Sequence, residues 1–296
     1  MITVLTPTYN RAYILRNAYA SLLSNKKEGF EWIIVDDGSS DETRTLVESW
    51  ITENKINIHY LHQENQGKTN ALVTGIAHAV GKFTLVLDSD DILSDRIIDE
   101  LAVEIGKLET GIIGIVGLKT DLMCNLIGSD FKSEYADYAE LYFGINRTLG
   151  DKLFLVNTDV YKKSLVKSYP GEKLIPESVF YINMSQYGKF KCMNKVFYSG
   201  NYLSDGLSDD IIKLAARNIQ GFILEKKMLQ TQNIALKEKI LNEIKYIAYS
   251  ASANLNFFEI VKNSSQKSLT LCMYIPALLF AAKRIQKIKN ARNVII

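Results

Sequence analysis

The run Leu85–Val86–Leu87–Asp88–Ser89–Asp90–Asp91 ends an apolar stretch in three carboxylates within four residues. Carboxylates that crowded, at the end of a buried strand, repel one another and are costly to ionise together. A hard oxygen cluster beside a phosphate is a usual setting for Mg²⁺ or Mn²⁺. The same residues also suit a solvated Asp-rich turn that caps the next helix. Taken alone, the D-x-D-D pattern leaves both readings open.

The elements around it alternate. Ile2–Thr6 is a short apolar strand, and residues 10–24 carry Tyr13, Ile14, Ala18, Leu22 and Leu23 at helical spacing. Phe30–Val35 reads as a second strand that ends in Asp36 and Asp37. Ser40 or Asp41 can cap a helix reaching Trp50. A strand over 56–61, a helix over 70–80 and a strand over 82–87 follow. Strands alternating with helices imply parallel pairing, and ligands of such sheets bind beyond the strands' carboxyl ends. The polar clusters 8–11, 36–39 and 88–91 all fall at such ends, so they should converge on one edge. Neither G-x-G-x-x-G after the first strand nor a P-loop pattern is present, which argues against a dinucleotide cofactor.

Four blocks now carry a resemblance: T-P-T-Y-N-R at 6–11, V-D-D-G-S-S-D-E-T at 35–43, N-Q-G-K at 65–68 and G-K-F-T-L-V-L-D-S-D-D at 81–91. In order and spacing they resemble the family 2 glycosyltransferases, over roughly the first hundred residues. G-E-K-L-I-P-E at 171–177 and Y-L-S-D-G-L-S at 202–208 resemble the acceptor half of a bacterial subgroup that builds surface glycans. The resemblance implies an α/β fold of the GT-A type, with a mostly parallel, Rossmann-like sheet flanked by helices. It implies a nucleotide-sugar donor and inverting chemistry. It also implies roles. Thr6, Pro7, Thr8, Tyr9 and Arg11 would line the donor pocket, with the Tyr9 ring free to stack on uracil. Asp37 would accept the uracil imide N–H, and Asp88 and Ser89 would lie against the donor. Asp90, supported by Asp91, would hold a divalent cation, Mn²⁺ or Mg²⁺, on the diphosphate. Lys68 would add a positive contact, Glu177 would be the catalytic base, and Asp151 would touch the acceptor.

Each role has a plainer counterpart. Tyr9 could be packing, Lys68 a solvated lysine, Asp151 a surface turn. Glu177 follows Pro176 and could simply favour the first turn of a helix. Asp36 reads as a structural Asx-turn. The aromatics Tyr135, Tyr138, Tyr142 and Phe143 suit core packing better than a sugar platform. Where many family members carry Asn before the Gly-Ile of the third helix, this chain has Val73, so contacts from that helix do not carry over.

At 296 residues the chain can bury a large core. A net charge of +2 speaks against a nucleic-acid partner. Cys124, Cys192 and Cys272 are odd in number and widely spaced, which suits reduced thiols in the cytoplasm. No signal peptide is legible at the N-terminus. Residues 1–105 read as the nucleotide-sugar half, 106–210 as the acceptor half of the same domain, and 211–296 as a helical extension. In that extension, helices are expected over 211–225 and 234–249. Leu269–Ala282 is nearly all apolar, is interrupted by Pro276, and leads into Lys283, Arg284, Lys287, Lys289 and Arg292. The apolar run is shorter than the roughly 20 residues of a spanning helix. It reads as an interfacial anchor on an anionic cytoplasmic leaflet, or else as a helix docked on the protein with a solvated basic tip.

The expectation is a peripheral membrane enzyme of the inner face of the plasma membrane. It would move a hexose or N-acetylhexosamine from a UDP-sugar to a hydroxyl of a growing, polyprenyl-linked surface glycan. The alternatives are an inactive scaffold of the same fold in a glycan assembly complex and a sugar nucleotidylyltransferase. The second would want a Gly-rich basic loop after the first strand, which residues 6–11 lack.

Overall fold

The structure, a computed structural model, describes residues 1–25, 29–201 and 210–293. A single mixed sheet runs from residue 2 to residue 199. Its strands are β1 Ile2–Thr8, β2 Phe30–Asp36, β3 Ile58–His62, β4 Phe83–Val86, β5 Ile92–Leu93, β6 Ile112–Thr120, β7 Tyr135–Ala136, β8 Lys152–Asn157 and β9 Lys189–Ser199. They lie in the order β3-β2-β1-β4-β8-β6-β9-β5, with β7 paired to β9. β3, β2, β1 and β4 are mutually parallel. β8 enters antiparallel between β4 and β6, and β9 lies parallel to β6.

This topology decides what meets what. The carboxyl ends of β1, β2 and β4 share one edge. Because β8 runs the other way, its amino end reaches the same edge, and so do the carboxyl ends of β6 and β9. Asp151, Lys119 and Tyr198 therefore join the three clusters expected from the first hundred residues.

Helices cover both faces. Helices α1 (Ala12–Leu22), α2 (Thr43–Glu53) and α4 (Ile97–Ile105) bury Leu15, Leu46, Trp50 and Leu101 against one face. Tyr19, Trp32 and Trp50 stack there, with the Tyr19 and Trp50 ring centres 4.2 Å apart. On the other face lie α3 (Lys68–His78), α5 (Tyr138–Phe143), α6 (Thr158–Ser164) and α7 (Ser178–Met184). β2 is buried along its whole length, as a strand covered on both faces must be.

The C-terminal region is α8 (Ile211–Arg217), α9 (Ile219–Leu229), α10 (Leu236–Ser252), α11 (Phe257–Asn263) and α12 (Lys267–Asn293). The single helix expected over 211–225 is broken at Asn218. Its side chain leaves the helical register to accept the Lys173 and Leu174 backbone N–H groups, each at 2.9 Å. The aromatics of 135–143 belong to packing. Tyr138 stacks on Tyr181 at 5.5 Å and Tyr142 lies 4.6 Å from Tyr138.

Pro276 does not end α12, which continues for 27 residues, about 40 Å. Its stretch Lys267–Arg292 is long and apolar enough to cross a membrane. Thr270, Ala277, Ala281 and Ile288 are buried. Thr270 donates to the buried Glu243 of α10 at 2.6 Å, and Arg284 donates to the Tyr249 hydroxyl at 2.8 Å. Leu271, Ile275, Leu279 and Phe280 form an exposed apolar stripe on the same helix.

Candidate active site

The loop after β1 is stitched to the loop after β2. Asn10, with φ +52°, accepts the Ser40 N–H on its Oδ1 at 2.7 Å and donates its own N–H to Ser39 Oγ at 2.8 Å. Asp41 spans both helices that follow. One oxygen accepts the Thr43 N–H at the start of α2, and the other accepts the Ala12 N–H at the start of α1, each at 3.0 Å. These bonds favour the charged form and hold its carboxyl below the usual range despite partial burial. Asp36 is structural, as expected. It accepts from the Ser39 N–H, three residues on, which closes the loop after β2, and from the Tyr60 hydroxyl.

Asp37 is buried, and its carboxylate accepts three donors: Gln63 Nε2 at 2.7 Å, Gln66 N at 2.9 Å and Gly67 N at 2.7 Å. A carboxylate offers about four acceptor positions, so one remains for a ligand. Its visible work is to fix the turn that delivers Lys68. That turn needs glycine. Gly67 has φ +88°, and a Cβ there would fall 2.0 Å from the Lys173 carbonyl oxygen.

Lys68 opens α3 and joins the two halves of the site. Its Nζ lies 2.7 Å from Asp88 Oδ1 and 2.8 Å from Glu177 Oε1. Burial alone would push the ammonium down, but Asp88 and Glu177 override it and hold it above the usual lysine value. Glu177 stands at the N-cap position of α7, yet its side chain makes no capping bond to that helix. The carboxylate points to Lys68 instead, while its place just before α7 still sets it at the positive end of that helix's dipole.

The acids of 88–91 separate into two environments. Asp88 and Asp90 are partly exposed at the edge. Asp91 is buried, with Oδ1 3.2 Å from Lys119 Nζ. Gly200 packs so closely that a Cβ there would lie 2.2 Å from the same Asp91 oxygen. Burial first, then Asp88, pushes the Asp91 carboxyl up to about 7, against the pull of Lys119. Asp91 thus supports the turn from below, through Lys119. Lys119 itself lies 3.9 Å from Asp151 Oδ2 and 4.9 Å over the Tyr198 ring.

Among the described residues no group of three or more His, Cys, Asp or Glu could hold a metal. The donor set still fits Mg²⁺ or Mn²⁺. Such ions are held by one or two carboxylates, with phosphate oxygens and waters completing the shell. Asp90 could do so from the edge, with Asp88, itself paired with Lys68, beside it; Asp91, expected as the second ligand, is buried on Lys119 instead.

Of the expected pocket residues, Thr8 is buried and its hydroxyl has no hydrogen-bond partner among the described residues. A buried orphan hydroxyl at a strand's carboxyl end is suited to a ligand. Tyr9 is 48% exposed, which leaves its ring face available for stacking. Pro7 is partly exposed, Ser89 is buried, and Arg11 is drawn to the Tyr13 hydroxyl at 2.6 Å. Thr6 is a correction: it is wholly buried and its Oγ1 accepts the Trp32 indole N–H at 2.9 Å, so it belongs to the core. The Y-L-S-D-G-L-S block at 202–208 lies outside the described residues.

The sequence reading missed Lys119 and Lys152. A lysine closing the apolar run Ile112–Leu118 was the available signal for the first. Lys152 is buried, with its ammonium 3.9 Å over the Tyr142 ring. It donates to the Thr148 and Gly150 carbonyls at 2.9 and 2.7 Å, which pins the turn bearing Asp151. Burial lowers it to about 8, with Asp151 opposing. A cavity of about 370 Å³ opens between Tyr135, Glu140, Ile145 and Ala235; none of the candidate residues lines it.

Residues 3–156 match the model of glycosyl transferase family 2, which is more than half of the chain. The chain belongs to glycosyl transferase family 2. Its glycosyltransferase fold extends beyond the matched region. A solved glycosyltransferase-type neighbour, Staphylococcus aureus TarS 1-349 in complex with UDP-GlcNAc, superposes with a TM-score of 0.65 at 16% identity, over 99% of this chain and 90% of that one. The mannosyltransferase PcManGT from Pyrobaculum calidifontis, in complex with GDP-Man and Mn²⁺, superposes with a TM-score of 0.57 at 17% identity, over 99% of this chain and 86% of that one. Both show likeness of fold. In sequence, the GalNAc(5)-diNAcBac-PP-undecaprenol beta-1,3-glucosyltransferase of Campylobacter jejuni is 23% identical over 94% of this chain and 91% of its own length. Other curated glycosyltransferases match at 37–38% identity over 31% of this chain, spanning only 15% of their own length.

Proposed function

We propose that this family 2 glycosyltransferase moves a hexose or N-acetylhexosamine from a UDP-sugar to a hydroxyl of a growing bacterial surface glycan, with inversion at the anomeric carbon. The observation that carries the reading is the Lys68 ammonium, which ties the donor-side Asp88 to Glu177 within 2.8 Å. A leaving-group cation and a base then share one pocket. UDP as the nucleotide is supported by the Asp37 carboxylate with one acceptor position left, and by the exposed Tyr9 ring. The TarS complex holds UDP-GlcNAc on the same fold. The full-length Campylobacter relative, whose name gives an undecaprenyl-linked acceptor, supports a polyprenyl-linked acceptor here.

In the proposed reaction, Glu177 takes the proton of the acceptor hydroxyl as its oxygen attacks the anomeric carbon from the face opposite the diphosphate. The bond from that carbon to the diphosphate oxygen breaks, and UDP leaves with the electron pair. Lys68 faces the charge developing on the leaving group. A divalent cation, Mn²⁺ or Mg²⁺, bound by Asp90 and Asp88, would neutralise the same charge. Asp151, on its pinned turn, would contact the acceptor.

The surface of α12 supports a place at the membrane. Its exposed stripe of Leu271, Ile275, Leu279 and Phe280 runs into the exposed Lys283 and Lys287, with Phe258 of α11 78% exposed besides. An apolar stripe bordered by lysines suits the interface of an anionic cytoplasmic leaflet. The opposite stripe stays packed on the protein, so the helix lies along the membrane in this reading.

The deciding experiment is calorimetric titration of UDP, with GDP and CDP as controls, with and without Mn²⁺. UDP-selective binding that needs the metal supports the reading. Metal-independent or unselective binding overturns the donor assignment.

A further inference from the structure

We propose that Glu225, on α9 and outside the region matched to the family, is a positioning residue for the base, acting through Ser178. The inference rests on the assignment of Glu177 as base. Glu225 is 8% exposed, and its Oε1 accepts the Ser178 hydroxyl at 2.7 Å. Ser178 is the residue after Glu177 and the first of α7. The other Glu225 oxygen meets Lys226 Nζ at 2.6 Å.

A buried glutamate–lysine pair within α9 is not needed for packing, since apolar residues of the same size usually serve stability as well or better. What the pair does provide is a fixed carboxylate beside the one backbone position whose geometry the reaction depends on. The segment carrying Glu177 has no secondary structure of its own between α6 and α7. It is gripped from two sides. On the donor side, Thr69 of α3 accepts the Ile175 N–H at 2.7 Å, and Gly67 lies against Lys173. On the C-terminal side, Asn218 accepts two backbone N–H groups of the segment. The Glu172 carboxylate accepts the Gln220 and Gly221 N–H groups at 2.7 and 3.0 Å. Gly221 approaches so closely that a Cβ would lie 2.8 Å from the Leu174 carbonyl oxygen. Asn218, Glu172 and Gly221 fix the segment before the base, and Glu225 fixes the residue after it. The C-terminal helices are therefore part of the catalytic frame, and Glu225 is the member nearest the base in sequence contact.

The test compares Ser178→Ala, Glu225→Met and the double variant with the full-length protein. Ser178→Ala removes the contact while leaving the Glu225–Lys226 pair intact, so it carries the test should Glu225→Met fail to fold. The probes are UDP release from UDP-GlcNAc and from UDP-glucose with Mn²⁺ and water as acceptor, and hydrogen exchange over residues 171–184. Displacing a reacting group by about an ångström can cost about a hundredfold. We expect kcat to fall tenfold to a hundredfold in either single variant, with no further loss in the double variant and donor KM within twofold. Exchange should rise over 171–184 and stay unchanged in β1 and β2. Ser178→Thr, which keeps the hydroxyl, should restore both readouts. Unchanged exchange over 171–184, or a kcat loss matched by an equal rise in KM, overturns the proposal. Glu177→Gln is run beside them. Full hydrolysis by that variant removes the base assignment and this proposal together; an inactive Glu177→Gln beside a fully active Ser178→Ala removes the positioning role alone.

Discussion

Lys68 Nζ lies 2.8 Å from Glu177 Oε1, although the two residues lie 109 positions apart in the chain. The contact couples them: whatever draws Lys68 away also changes the charge beside Glu177, the proposed base. Lys68→Met should leave Asp88 and Glu177 facing each other across an uncharged side chain. We expect kcat/KM for UDP-sugar turnover to fall about a hundredfold or more, in the range seen when a preorganised charge-stabilising donor is lost. Steady-state kinetics on the variant check this. A variant within threefold of the parent would show that Lys68 is not part of the chemistry.

Asp90→Ala should remove the Mn²⁺ dependence of UDP binding without unfolding the chain, since Asp90 is partly exposed at the sheet edge. Asp91→Ala should behave differently. It removes the carboxylate 3.2 Å from Lys119, which is 7% exposed, so any loss should appear as stability rather than as metal dependence. Calorimetry with UDP and Mn²⁺, together with urea unfolding, separates the two effects. Equal loss of metal dependence in both variants, with both fully stable, would contradict the division of labour.

Lys152 predicts a pH dependence with a definite sign. Burial lowers its folded value to about 8, from an ordinary 10.5. The unfolded chain therefore holds this proton more tightly than the folded one, and stability from this group rises with pH between about 8 and 10.5. The rise is at most about 1.4 kcal/mol per pH unit. Below pH 8 the group contributes a constant penalty. Lys152→Met should abolish that slope. Urea midpoints of parent and variant from pH 7 to 10.5 measure it, and parallel curves would refute it.

Leu279→Asp with Phe280→Asp should weaken binding to vesicles rich in phosphatidylserine at least tenfold, since both side chains are more than 70% exposed and their loss costs the fold little. Vesicle sedimentation reads the outcome. Undiminished binding would mean that the stripe faces something other than lipid.

Much of the first hundred residues was legible in sequence because the determinants there are local. The runs 2–6, 30–35 and 82–87 are mostly apolar and β-branched, as buried parallel strands favour, and each leads into polar residues that the parallel sheet must carry to one edge. The Asp36 turn follows from the two residues beside it. The partnerships were not legible. Asp37, expected to read a base, is largely occupied with the turn before Lys68. Thr6 looks like its neighbours in the motif, yet the alternation of β1 turns it to the core and to Trp32, 26 residues away.

The rest of the chain depended more heavily on tertiary structure. Lys119 meets Asp91 and Asp151 only because β8 inserts antiparallel between β4 and β6, a choice set by packing between distant segments. Helix α8 stops before Asn218 because that side chain bonds to a segment 44 residues away, which outweighs local helix propensity. Pro276, a breaker by local rules, sits inside a continuous helix because α10 and α11 pack against the turns on either side. Sequence alone set the strand ends, the acids and the chemistry expected of the edge, since these follow from residue type and nearest neighbours. The tertiary structure decided which carboxylates stay free and which are tied to lysines, because that depends on distances between residues that the chain itself keeps far apart.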